Sequence, residues 1–282
     1  MPCCAGRLAI LGPASRLATR GPAGPRRTSP RPVIDSHCHL DACEPSDAEL
    51  VARAREAGVT RIATVGTNGS SIDRALSAAH AHEEVFAVVG RHPHDTVGFD
   101  AAALEEIERA AADPRARAIG ETGLDYYRDH APRADQRRAF EAQLDLAARL
   151  GMPVVIHTRA AERDTLDVLH EYAGSVSAVI LHCFSAVGRL EDCVERGYIC
   201  SFAGNVTYPK ATDLQRAARE VPAELLLVET DAPYLAPQPR RGRPNEPANV
   251  AHSARFIAGL REVSYEELER TVESNAARVF RW

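Results

Sequence analysis

From residue 33 to the C-terminus, short apolar runs alternate with longer stretches in which apolar residues recur every three or four positions. The short runs read as strands and the longer ones as amphipathic helices. The first strand opens at Val33-Ile34 and runs into His37-x-His39. Further strands are predicted at 62–65, 85–89, 117–121, 154–157, 179–182, 197–202 and 225–231. Ser46 and Glu49 form the pattern of a capping box, opening a helix that runs to Ala57 and stops at Gly58. Helices follow from about Ser71 and from about Asp100 to Ala112. Another spans 133–150, with Phe140, Leu144 and Ala147 on one stripe and Gly151 and Pro153 ending it. Two more close the chain near 250–260 and 264–280. Eight apolar strands separated by helices imply a parallel sheet covered by helices, and eight is the number that closes a (β/α)8 TIM barrel. The fold class expected is therefore α/β, a single such barrel over residues 33–282.

In a barrel of this kind the active site lies at the C-terminal ends of the strands. Glu121, His157, His182 and Asp231 each fall at the last position of a predicted strand. On the first strand, residues two apart share a face, so His37 and His39 project together. With 11 His in 282 residues, chance alone gives roughly 0.4 His-x-His pairs, and the chain has three, so the motif by itself is weak. What lifts the first pair is its place beside the other ligand-type strand ends. Together these positions supply four His and two carboxylates, enough for two divalent ions sharing one carboxylate. Mixed His and carboxylate ligation suits Zn²⁺ or Mn²⁺ and leaves Mg²⁺ open. His80 and His82 fall near a helix end, where a two-residue step splits them onto different faces. Cys38 and Cys183 neighbour key histidines, but alternation turns them away.

Composition narrows the setting. At 282 residues and 45% hydrophobic, the chain is long enough for one large core. No apolar run approaches the roughly 18 residues of a membrane span. The seven Cys show no C-x-x-C pair and no framework spacing, which fits free thiols in a reducing, cytoplasmic setting. Six of the 34 basic residues and none of the 39 acids lie in residues 1–32, so the remainder sets 28 basic against 39 acidic residues, a net −11. Such a body is no general nucleic-acid-coating surface, and phosphate binding must be local. Residues 1–32 are rich in Arg, Pro and Gly and lack a burial pattern; they read as a disordered extension or a start placed too far upstream, with an organelle transit peptide as the alternative.

At the level of motifs the chain resembles the TatD-type metal-dependent deoxyribonucleases of the amidohydrolase superfamily. The resemblance covers about residues 33–282 and rests on Asp35-Ser36-His37-Cys38-His39-Leu40-Asp41, Gly90-Arg91-His92-Pro93-His94, Ile119-Gly120-Glu121-Thr122-Gly123-Leu124-Asp125-Tyr126-Tyr127, Val154-Val155-Ile156-His157-Thr158-Arg159, Leu181-His182-Cys183-Phe184-Ser185, Glu229-Thr230-Asp231-Ala232-Pro233-Tyr234-Leu235, and Arg241-Gly242-Arg243-Pro244-Asn245-Glu246-Pro247. Arg91 and Thr122 stand where apolar residues are commoner.

The resemblance implies that His37, His39 and Asp231 hold one metal ion, that His157 and His182 hold a second, and that Glu121 bridges them. Two cations polarise a phosphoryl oxygen and make hydroxide available near neutral pH. Asp231 is then also a base for the attacking water, and His92 a phosphate contact or an acid for the leaving oxygen. His94 ranks below it. Arg159, Arg240, Arg241 and Arg243 are candidate phosphate contacts in an acidic body. Tyr126 and Tyr127 offer either a stacking face or packing. The expected activity is 3′-to-5′ exonucleolytic cleavage of single-stranded or frayed DNA, with RNA also open, by a monomer without membrane association. The alternatives are a D-aminoacyl-tRNA deacylase of TatD-like type and a non-catalytic metal-binding protein. Because residues 1–32 lack a burial pattern, deleting them should change neither the melting temperature nor the metal content. A truncated protein that is insoluble, or that loses metal, would contradict this.

Overall fold

The structure, a computed structural model, describes residues 1–2 and 33–282. From residue 3 on, the expected extension lies outside the described residues. Seventeen helices and strands alternate along the rest: β1 Val33–Cys38, α1 Asp47–Glu56, β2 Val59–Gly66, α2 Gly69–Ala81, β3 Val85–Val89, α3 Ala101–Ala111, β4 Ala116–Asp125, α4 Arg133–Leu150, β5 Val154–Arg159, α5 Glu162–Glu171, β6 Val179–Leu181, α6 Leu190–Glu195, β7 Ile199–Phe202, α7 Thr212–Glu220, β8 Leu226–Val228, α8 Val250–Leu260 and α9 Tyr265–Phe280. All neighbouring strands pair in parallel, in the order β1 to β8. The fold is a TIM barrel. Strands covered on both sides should be buried throughout, and β1, β3, β7 and β8 are buried along their whole length. No helix among the described residues is long and apolar enough to cross a membrane.

The seam between first and last strand is closed beyond the end of β8. Asp231 N donates to His37 O (2.9 Å), His39 N donates to Ala232 O (2.7 Å), and Cys38 bridges Ala232. Beneath this contact the Asp35 carboxylate accepts from Thr230 N (2.8 Å), Thr230 Oγ1 (2.6 Å) and His37 N (3.3 Å). Burial pushes the Asp35 carboxyl up to about 8, against these hydrogen bonds. One side chain therefore fixes the two segments that carry His37 and Asp231.

Several predicted boundaries move, each for a local reason. The fourth strand does not end at Glu121. It continues to Asp125 because β5 extends alongside it, pairing Thr122 with Ile156 and Asp125 with Arg159. His157 is likewise the fourth of six residues in β5. His182 lies one residue past β6, and Asp231 three past β8 in a left-handed conformation (φ 55°). At the first helix the expected capping box does not form, since Ser46 Oγ bonds the Glu49 carboxylate (3.0 Å) and makes no cap to the backbone.

At Gly123 strand β4 runs close against the β5 backbone. Its φ is +142°, and a Cβ there would overlap the carbonyl oxygen of His157. Gly123→Ala should therefore destabilise the fold by about 3 kcal/mol, combining backbone strain with overpacking. It should also shift His157. Chemical denaturation checks the first effect, and an alanine variant as stable as wild type would refute the close approach.

Candidate metal centre

The Glu121 carboxylate is 2% exposed and lies at the C-terminal end of the barrel, with five imidazoles around it. His157 Nδ1 stands 2.8 Å from Oε1, His92 Nε2 3.5 Å and His182 Nε2 3.6 Å, while His37 Nε2 and His39 Nε2 stand 3.4 and 3.7 Å from Oε2. Asp231 Oδ1 is 3.6 Å from His39 Nε2. The His37 and His39 Nε2 atoms are 3.3 Å apart, and the His37 ring stacks on that of His182 at 3.6 Å. Three overlapping groups have the spacing to hold a cation: His37, His39 and Glu121; His92, Glu121 and His157; His37, His182 and Asp231. All six residues singled out as ligands are in these groups. The grouping differs from the expected one, because His182 joins His37 and Asp231, and His92 joins Glu121 and His157.

The outer hydrogen bonds of the rings decide which nitrogen carries the proton. His39 Nδ1 faces Val65 O at 3.4 Å, so its proton points outward and the Nε2 lone pair inward. His157 Nε2 faces Asp125 Oδ2 at 3.1 Å, leaving Nδ1 to face Glu121. His182 Nδ1 stands 2.8 Å from Glu229 Oε1, an ion-pair distance off the hydrogen-bonding line, and again Nε2 points in. His37 Nδ1 is buried without a partner. His39, His157 and His182 thus present lone pairs to carboxylate oxygens at close range. Such an arrangement is repulsive unless a cation or extra protons lie between, and so the donor set fits divalent metal ions.

His92 is different. Its Nδ1 accepts the backbone N–H of His94 at 3.1 Å, so the neutral ring carries its proton on Nε2, facing inward. Burial, aided by the neighbouring His157, lowers its pKa to about 4 against the pull of Glu121. His92 is thus a neutral inward donor, suited to an oxygen of a substrate.

For the other groups, protonation follows the surrounding charges. Burial works against ionisation of Glu121, but the histidines, His182 first, outweigh it and hold the carboxyl well below its usual range. Burial also works against a charged His182, yet Glu229 and Glu121 push its pKa up to about 10. Burial opposes the Asp231 carboxylate and His39 with His182 prevail, lowering it.

Two acids were missed by sequence reasoning. Asp125 is fully buried and takes both His157 Nε2 (3.1 Å) and His94 Nε2 (2.9 Å) on one oxygen. Glu229, also fully buried, accepts Cys183 N (2.8 Å) beside His182. An acid directly continuing an apolar strand run, as in Leu226-Leu227-Val228-Glu229, was the available signal. Cys38 and Cys183 belong to none of the candidate cation groups. His80 is exposed and pairs with Asp113 (2.8 Å), outside the candidate cation groups.

The arginines sit on loops that leave the same end of the barrel. Arg159 closes β5 and packs on the Tyr127 ring at 4.1 Å. Arg240 ends a 3-10 turn after β8, Arg241 covers Tyr208 at 4.1 Å, and Arg243 follows. All four are exposed and carry no carboxylate partner among the described residues. Among the described residues no side-chain hydrogen bond or ion pair joins them to the Glu121 cluster.

A family model described as TatD related DNase matches residues 34–281. A Mycobacterium tuberculosis protein named uncharacterized metal-dependent hydrolase TatD is 42% identical over 260 residues, 88% of this chain and 97% of its own length. A Pectobacterium carotovorum protein named 3′-5′ ssDNA/RNA exonuclease TatD is 36% identical, covering 83% of this chain and 92% of its own. Among solved structures, the Escherichia coli TatD homologue YJJV superposes with a TM-score of 0.83 at 29% identity, over 89% of this chain and 98% of that one.

Glu121→Gln should remove most of the bound divalent metal, because Glu121 touches two of the three candidate groups. Cys183→Ala should leave metal content within about twofold of wild type. Since protons on His182 and the other rings compete with a cation, metal affinity should rise with pH and uptake should release protons. Metal analysis after equilibrium dialysis, and proton release in weak buffer, check both. Equal metal loss in the two variants would show that the centre is placed wrongly.

Proposed function

The chain belongs to the family of TatD-related DNases, and from that footing we propose that it is a metal-dependent hydrolase that cleaves phosphodiester bonds, releasing nucleotides 3′ to 5′ from single-stranded DNA. The observation that carries this reading is the convergence of four histidines, three of them turned lone pair inward, and two carboxylates on one buried cluster. The named exonucleases among its relatives, 36–37% identical, supply the substrate class.

His37, His39, His157, His182 and Asp231 would hold two divalent ions, Zn²⁺, Mn²⁺ or Mg²⁺, with Glu121 shared between them. Such ions supply Lewis-acid polarisation of a phosphoryl oxygen and a nucleophilic water at neutral pH. The remaining steps belong to the chain. Asp231 is ionised and at the edge of the cluster, so it can accept the proton of the attacking water. His92 donates its inward Nε2–H to a phosphate or leaving oxygen; being neutral, it acts by hydrogen bonding. Arg159, Arg240 and Arg243 offer unpaired guanidinium groups to neighbouring phosphates.

Single-stranded DNA with a free 3′-hydroxyl should be shortened stepwise to 5′-mononucleotides in Mn²⁺ or Mg²⁺. His92→Ala should lower kcat by about a hundredfold. Arg243→Ala should weaken binding, with a salt dependence smaller by about one phosphate contact. Intact DNA under these conditions, together with hydrolysis of D-aminoacyl-tRNA, would replace the nuclease reading with the deacylase one.

A further inference from the structure

Folding leaves few large apolar side chains in water. Among the described residues the exposed ones are Met1, Val97, Tyr127, Leu150 and Tyr234, and only two of these are aromatic. Both tyrosines stand on loops that leave the C-terminal end of the barrel. Tyr127 follows β4 by two residues and is 64% exposed; Tyr234 lies three residues past Asp231 and is 57% exposed. In an eight-stranded barrel ordered β1 to β8, the ends of β4 and β8 are half a circumference apart. The two tyrosines therefore stand on opposite sides of the C-terminal end of the barrel, the end that carries Glu121.

Neither ring stands on a loose loop. The Asp125 carboxylate accepts Tyr127 N and Arg128 N, both at 2.9 Å, while its other oxygen holds His157 and His94. Tyr234 N donates to Asp231 O at 2.8 Å, and Asn245 Nδ2 ties Tyr234 O (2.8 Å) to Thr230 O (2.9 Å). The backbone that carries each exposed ring is thus anchored, through Asp125 beside the cluster and through Asp231 within it. The Tyr234 ring also meets His39 edge-on at 6.2 Å. The adjacent Tyr126 behaves otherwise: it is partly buried, its hydroxyl bonds Asp164 (2.9 Å), and Arg133 covers its ring at 4.0 Å. Tyr126 packs, and Tyr127 is presented.

Exposing a pinned aromatic face is unfavourable unless something covers it, and a flat π-surface beside a guanidinium matches a nucleobase with its phosphate. Resting on the nuclease reading above, we infer that Tyr127, backed by Arg159, and Tyr234 are base-stacking platforms on opposite sides of the mouth, which hold the nucleobases flanking the phosphate to be cut. The ligand class is an unpaired oligonucleotide with a base on each side of the scissile bond. A paired duplex cannot offer its base faces to two separated rings, so single strands are selected. Stacking tolerates any base, so the sequence preference is weak.

The test uses the full-length protein in Mn²⁺ and 3′-hydroxyl single strands that either carry every base or lack one, at the terminal or the penultimate position. In wild type, a missing base should raise KM about tenfold at each sensitive position. Tyr127→Ala and Tyr234→Ala should raise KM on intact DNA by a similar factor, and each should abolish the penalty of one missing base and not the other. Tyr127→Phe should behave as wild type, since it keeps the ring. Leu150→Ala, at the far end of α4, should also match wild type. Alanine variants that lose the same factor on intact and base-lacking DNA would overturn the inference, as would a phenylalanine variant as weak as alanine. If an alanine variant fails to fold, wild type decides alone, because indifference to missing bases overturns the proposal. Wild type that leaves all single strands intact refutes the nuclease reading, and this inference with it, and that outcome is seen before any variant is made.

Discussion

The candidate centre depends on one buried charge. Glu121 carries a carboxylate in a setting where an isolated charge would cost several kcal/mol, and five imidazoles approach it within 3.7 Å. Those imidazoles do not simply neutralise it. For three of them the outer nitrogen is turned toward an acceptor, Val65 O, Asp125 or Glu229, so that the inner nitrogen brings a lone pair. The fourth inward ring, His37, is stacked against His182. Inner anion and inner lone pairs together require positive charge between them, supplied by protons or metal ions. The single exception, His92, receives a backbone N–H on its outer nitrogen and so points a proton inward. Which nitrogen His39, His157, His182 and His92 each turn inward is therefore written in outer polar contacts of about 3 Å.

Those outer bonds are set by the barrel. Asp35 ties the first strand to the segment beyond the last one, which brings the His37 and Asp231 chains together. On the opposite side, two buried glutamines of α4 reach the loops that carry site residues. Gln136 Oε1 accepts Asp125 N (2.8 Å), and Gln143 Oε1 accepts Arg91 N (2.7 Å) while its amide donates to Arg91 O (3.1 Å) and Thr122 Oγ1 (2.7 Å). This gives a physical account of Thr122, a polar residue at a position expected to be apolar: its hydroxyl satisfies the buried Gln143 amide, where an unpaired amide would be costly. Arg91 offers that amide only backbone atoms and turns its guanidinium to Glu106 (3.1 Å).

Much of this was legible in the sequence because the barrel repeats a strong pattern. The third strand and α4 match their predicted bounds, since a run of five buried apolar residues and a helix stopped by a left-handed Gly151 (φ 63°) are unambiguous local signals. The apolar pattern does not mark helices α5, α6 and α7 separately. They are short, and α6 and α7 bury only Cys193, Ala217 and Ala218, so they offer no long stripe of large apolar residues. Glu121, His157 and Asp231 were found, yet not at strand ends. The ladder between β4 and β5 continues through Gly and polar residues, and Asp231 lies beyond a β8 of only three residues. The role of Asp125 was hidden for a different reason. Its partners His94 and His157 lie 31 and 32 residues away on either side, and only the closed barrel brings them together.

The two ends of the barrel are built on different principles. At the N-terminal end, charge is consumed by structure. Arg115 donates to Ala79 O and His82 O at the end of α2, and the guanidinium groups of Arg115, Arg117 and Arg61 gather around the Phe86 ring at 4.2, 5.2 and 6.0 Å, with Trp282 against the same ring. At the C-terminal end, Arg159, Arg240, Arg241 and Arg243 have no carboxylate partners among the described residues. The chain beyond residue 32 carries a net −11, so its average field repels a polyanion. A nucleic acid would meet repulsion from the average field of the body and local attraction where those loops can reach its phosphates. Under the proposed function, an enzyme organised this way favours the end of a strand over its length: a terminus can enter the mouth while the rest of the polymer stays in solvent, away from the acidic flanks.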